Sequence, residues 1–151
     1  MKRVINFVSV ILMVGFSLSS CSEENNKMAD LAQEALENNL ESGTWRVTLF
    51  EDSGNDETNH FSGYDFTFEV NGTLSANNGV NMIQGTWSIT DSNSNDDSPH
   101  DLDFNIFFNA SNDFEELNED WDIISHSDMK IELVHISGGN GGTDYLTFQR
   151  N

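Results

Sequence analysis

The chain has 151 residues and a formal net charge of −20, with 26 acidic side chains against six lysines and arginines. So acidic a surface repels phosphate backbones and anionic head groups, which excludes nucleic acid as a partner. The charge then reads either as solubility for an exposed protein or as attraction for divalent cations, and the length suits one compact domain rather than two.

At the N-terminus Lys2 and Arg3 precede an almost unbroken apolar run over residues 4–16, and small residues lead from it to Cys21, the single cysteine. A membrane-spanning helix needs about 20 apolar residues, so this shorter run with a basic start has the layout of an export signal over residues 1–20. Leu18, Ser19, Ser20 and Cys21 resemble the lipobox of bacterial lipoproteins. The resemblance implies cleavage before Cys21, a diacylglyceryl group on its sulfur and a further acyl chain on the new amino terminus. Each buried methylene contributes about 0.8 kcal/mol, and two chains suffice for stable anchoring, so the expected partner of this end is a membrane. With Cys21 lipidated, no thiol remains for a disulfide, a thiolate metal site or a nucleophile. Residues 21–26 read as a polar tether, and Ser22, Glu23 and Glu24 resemble the surface-export signal of Bacteroidota lipoproteins. That implies display on the outer face of the outer membrane, with the periplasmic face as the alternative.

Over residues 27–42 the period becomes helical. Met28, Leu31, Ala32, Ala35, Leu36 and Leu40 recur at offsets of three and four, Asp30, Glu34, Glu37 and Glu41 face away, and Gly43 is placed to end the helix. A helix lying on a membrane surface would carry lysine and arginine on its polar face. This acidic one is expected to pack on the domain and close one end of it.

Beyond Gly43 the chain alternates with period two, predicting eight short strands. The inward sets are Trp45, Val47 and Leu49; Tyr64, Phe66, Phe68 and Val70; Leu74 and Ala76; Ile83, Gly85, Trp87 and Ile89; Leu102, Phe104, Ile106 and Phe108; Trp121 and Ile123; Ile131 and Leu133; Leu146 and Phe148. Asn71-Gly72 marks a hairpin turn, and residues 138–142 a glycine-rich one. Strands with one apolar face each must bury those faces together, in a sandwich or a barrel, and short connections favour closure, which removes exposed edges. The expectation is an all-β, eight-stranded antiparallel up-and-down barrel over residues 43–151, preceded by one short helix.

Gly43-Thr44-Trp45 at the start of the first strand resembles the Gly-x-Trp signature of lipocalins, and Gly85-Thr86-Trp87 repeats it. With Phe66, Phe68, Asn71-Gly72, Trp121 and a last strand of Tyr145, Leu146, Thr147 and Phe148, the pattern resembles the lipocalin-like domains of Bacteroidota lipoproteins. The resemblance implies a barrel that holds a small apolar ligand, and an arginine, here Arg150, packed across the first tryptophan. Thr143-Asp144-Tyr145 matches a lipocalin tripeptide but precedes the final strand rather than the penultimate one. An eight-stranded barrel is just wide enough to be filled by side chains or to hold one small ligand, and the many inward aromatics predict a largely filled interior with any pocket small and at one mouth.

The candidate ligand-binding residues are His135, inward by parity with Ile131 and Leu133, together with Tyr64 and Trp87. A candidate cation loop holds Asp91, Asn93, Asn95, Asp96 and Asp97, whose alternate oxygen donors suit calcium. It departs from the helix-loop-helix calcium pattern, since Asp96 stands at the turn-glycine position and Leu102 at the bidentate-glutamate position. His60, His100, His126 and His135 form no close pair at metal-ligand spacing, and Asp113, Glu115, Glu116, Glu119 and Asp120 read as an exposed connection. There is no serine elbow, phosphate loop or zinc helix, so the chain is expected to bind rather than catalyse, without a cofactor and as a monomer. Two functions stay open: a carrier of a small apolar ligand with its site near His135, or a surface module that meets a protein, glycan or calcium through acidic loops while a filled barrel serves as scaffold.

Overall fold

The computed structural model describes residues 21–91, 102–139 and 141–151. The export signal over residues 1–20 lies outside the described residues, as do Asn93, Asn95, Asp96, Asp97 and His100 and the side chains of Cys21 and Asp91. Helix α1 (Cys21–Glu41) leads into strands β1 (Trp45–Asp52), β2 (Asn55–Asp56), β3 (Asp65–Phe68), β4 (Thr73–Asn77), β5 (Met82–Asp91), β6 (Leu102–Phe108), β7 (Asp120–His126), β8 (Lys130–Ile136) and β9 (Thr143–Arg150). Two short 3-10 turns interrupt the series, Thr58–Phe61 and Asp113–Leu117.

β1 and β3 to β9 form the expected eight-stranded antiparallel barrel, each paired to the next, and β9 closes it by pairing along β1 from Trp45↔Arg150 to Glu51↔Tyr145. The alternation read in the sequence explains the wall. Phe66, Phe68, Leu74, Ala76, Trp87, Ile89, Phe104, Ile106, Phe108, Trp121, Ile131, Leu133, Leu146 and Phe148 are buried, while Thr86, Ser88, Thr90, Asp122 and Gln149 are exposed. Full burial of each leucine, isoleucine or phenylalanine among them contributes about 1.5–3 kcal/mol. A barrel that crosses lipid has the reverse pattern, apolar outside and polar within, so this wall is built to face water.

The two ends are closed by different devices. At the helix end Leu36 and Leu40 are buried against the barrel, the Trp45 indole donates to the Leu40 carbonyl (2.9 Å), and Gln33 donates to the Ile89 carbonyl (2.9 Å). Arg150 lies across the Trp45 ring with its guanidinium carbon 4.9 Å from the centroid, and donates to the side chains of Asn39 and Ser42, both at 2.6 Å. Glycine at 43 leaves room for that arginine, since a Cβ there would stand 3.3 Å from Arg150 Nε. At the opposite end the two 3-10 turns insert Phe61, Phe114 and Leu117 as a plug.

Four local readings are corrected. Leu49 is exposed and Phe50 buried, because a bulge between Val47 and Leu49 in the β1–β9 ladder inserts one residue and moves every later side chain to the other face. Val70 is exposed, because the hairpin begins earlier: Gly72 N donates to Glu69 O (2.9 Å), placing Val70 in the loop and Gly72 in the left-handed region at φ 79. Residues 113–120 are not a plain exposed connection, for Phe114 and Leu117 anchor them in the core. Helix α1 starts at Cys21 rather than at residue 27, since no glycine or proline interrupts residues 22–26, and Leu31 of its expected apolar stripe is exposed. The sequence reading also lacked β2, whose two-residue turn puts Ser53 at φ 49 and Gly54 at φ 86.

Candidate functional site

The interior bears directly on ligand binding. Phe68 packs edge-on against Trp87 (5.4 Å between centroids) and Phe148 (5.6 Å), and Phe104 sits 5.5 Å from Phe68 and 6.3 Å from Phe148, so four rings fill the middle of the barrel. Below them Phe114 is a hub, with Phe61, Tyr64, Phe66 and Phe108 at 5.3, 5.0, 6.0 and 5.1 Å. Depressions of about 600 and 480 Å³ lie on the outer wall, the first around Thr86, Ser88, Asn105, Phe107 and Asn118, the second around Asp65, Thr67, Asn77 and Asn78. Both open outward.

The three residues expected to hold a ligand do not share a cavity. Tyr64 precedes β3 and packs on Phe114; Trp87 is buried among Phe68 and Phe104 with its indole donating to Glu69 O (3.1 Å). His135 is at the plug end, half-buried beside Trp121 at 6.1 Å. Its Nδ1 donates to the Asp120 carbonyl (3.2 Å) with the Asp120 carboxylate 3.6 Å away, and Nε2 faces Glu119 at 3.5 Å. The ring is thus held from both sides, by Glu119 just before β7 and by Asp120 at its start.

A second histidine on the same rim also meets carboxylates. His60 Nδ1 is 3.7 Å from Glu57 Oε2 and 3.6 Å from Glu116 Oε2. Burial and the neighbouring Glu57 charge raise the Glu116 pKa above the ordinary glutamate value, with His60 opposing. The acidic run before Trp121 therefore serves both histidines, Glu116 turning to His60 and Glu119 and Asp120 to His135. Sequence spacing could reveal only the Glu57-x-x-His60 half of the first group, because Glu116 arrives from a distant turn.

No protein-family profile matches the chain, and no curated protein matches it. Among solved structures it is similar to a crystal structure of a DUF4847 family protein from Bacteroides vulgatus ATCC 8482, with 19% identity, a TM-score of 0.48, and coverage of 77% of this chain and 97% of that one.

Proposed function

We propose that this chain is a lipid-anchored outer-membrane binding protein of lipocalin-like architecture, in which the barrel is a filled scaffold and contacts are made by its rims and outer wall. The observation that carries the scaffold reading is the interior. Phe66, Phe68, Phe104, Phe148, Trp45 and Trp121 are each at most 1% exposed, the helix covers one mouth and the aromatic plug the other. A ligand of ordinary size needs about 300 Å³ or more, and entering here would displace several packed rings. Arg150 across Trp45 supports the lipocalin-like architecture, and the apolar run ending at Cys21 supports the anchor. Ser22, Glu23 and Glu24 support display at the cell surface, which suits a polar, water-facing wall.

Two measurements test this. Protein purified from membranes is expected to carry a diacylglyceryl-modified Cys21 by mass spectrometry, and Cys21→Ala to leave the detergent phase for the aqueous one; an unmodified cysteine would remove the anchor from the reading. Titration with an apolar fluorophore such as anilinonaphthalene sulfonate or a labelled fatty acid is expected to give no saturable 1:1 binding. Stoichiometric, tight binding would instead restore the carrier.

A further inference from the structure

Glu57 caps the start of the 3-10 turn Thr58–Phe61 and His60 lies within it, and at three residues per turn side chains three apart eclipse one another. The bond from His60 N to Glu57 O (3.0 Å) fixes that geometry. Glu116 belongs to the other turn, held against the first by the edge contact of Phe61 with Phe114 at 5.3 Å. The apolar halves of both turns face the core, so their polar halves converge at the rim. There His60 Nδ1 and one oxygen from each glutamate lie within 4.8 Å of one another.

Both carboxylates approach the same ring nitrogen, at 3.6 and 3.7 Å, outside the range of an N–H···O hydrogen bond. A single Nδ1 proton could serve only one of them. Ligands about 2.1 Å from a tetrahedral ion stand about 3.4 Å apart, so the two nitrogen–oxygen spacings suit two edges of such a polyhedron, and the two carboxylate oxygens lie within 4.8 Å of each other. His135 differs in kind, since Glu119 and Asp120 approach opposite nitrogens of its ring and Nδ1 is committed to a carbonyl.

We propose that Glu57, His60 and Glu116 form a binding site for a divalent transition-metal ion of the zinc class. The ion takes one imidazole nitrogen and two carboxylate oxygens, and its fourth position faces solvent. Imidazole selects such ions over calcium and magnesium. The positive charge separates two carboxylates that otherwise repel each other, and the strongly acidic chain concentrates cations around it. Bound there, the ion joins the two turns and locks the plug. This site is independent of how the chain is anchored and of what its outer wall contacts.

The test uses the full chain in detergent, stripped with EDTA and titrated with Zn²⁺ alone by calorimetry. One saturable equivalent is expected, with a rise in Tm on the order of 5 °C at a hundredfold excess over Kd. Loss of a mere outer-shell partner costs roughly 10- to 100-fold in metal affinity, so His60→Ala and Glu116→Gln should each cost at least that, while His135→Ala should leave this equivalent intact. Co²⁺ provides a readout that needs no variant: tetrahedral d–d bands with imidazole character are expected, and a purely octahedral, all-oxygen spectrum overturns the site. So does the absence of saturable Zn²⁺ binding, or Zn²⁺ binding that His60→Ala leaves unchanged. If His60→Ala does not fold, the half-exposed Glu116→Gln decides by the same criterion.

Discussion

Phe114→Ala tests whether the plug end is sealed by packing. The ring is 2% exposed and contacts four other aromatic residues at centroid distances of 5.0 to 6.0 Å. Truncation removes on the order of 100 Å³, which at about 24 cal/mol per Å³ of residual cavity amounts to about 2 kcal/mol. The lost transfer free energy of the ring contributes about 2 kcal/mol more, giving a total of about 4 kcal/mol, within the usual range for core Phe→Ala changes. One domain has about 5–15 kcal/mol in all, so the variant should fold with its urea midpoint lowered by about 2 M for an m-value near 2 kcal/mol/M. Equilibrium urea unfolding followed by tryptophan fluorescence measures this. The new cavity is lined by Phe61, Phe66 and Phe108, stays dry, and should let benzene raise the Tm of the variant but not of the wild type. A loss below about 1 kcal/mol at unchanged m would refute the sealed plug and with it the filled-scaffold reading.

Gly85→Ala should destabilise by about 2–3 kcal/mol or prevent folding, since its Cβ would collide with the Phe107 carbonyl oxygen and stand 2.7 Å from the Phe108 ring; thermal unfolding measures the loss. Arg150→Ala removes the stacking on Trp45 and the ties to Asn39 and Ser42, and should cost about 1–2 kcal/mol while speeding amide exchange in α1. Because the folded-state pKa of Glu116 is raised, the stability that group contributes is full below its unfolded pKa and is lost as pH rises through the folded one. In EDTA, Glu116→Gln should therefore be more stable than wild type at pH 7 by at most a few tenths of a kcal/mol, given its partial exposure, with the gain gone once the medium is acidic enough to protonate Glu116 in both the folded and the unfolded chain.

The strands and their closure were legible because each buries one face only, so apolar residues at every second position reveal both element and orientation. What escaped were events that alternation does not encode. The bulge at Val47/Leu49 exchanges Leu49 for Phe50 between two apolar residues, so the pattern looks equally good in either register. The Ser53-Gly54 turn carried a recognisable signal, a two-residue loop whose positive φ values suit glycine, but β2 is too short to show its own period. The plug was hidden because Phe61 and Phe114 stand alone among polar residues, and only the paired 3-10 turns give them a common destination. The rim site was half legible for the same reason: Glu57 and His60 share one turn, and Glu116 joins them through packing of apolar neighbours.

These arrangements divide the molecule into ends with different duties. Helix α1, which carries the chain onward from Cys21, packs by Leu36 and Leu40 on the mouth that Arg150 and Trp45 close. The plug, with Glu57, His60, Glu116, Glu119, Asp120 and His135 around it, is at the other mouth. An acyl anchor on Cys21, as proposed, therefore enters the fold opposite the rim that holds both histidine–carboxylate groups. A carrier would need one of these mouths to open, yet each is closed by packed apolar side chains. A scaffold needs the reverse, two fixed ends, one to receive the tether and one to hold its side chains in place. The core favours the scaffold.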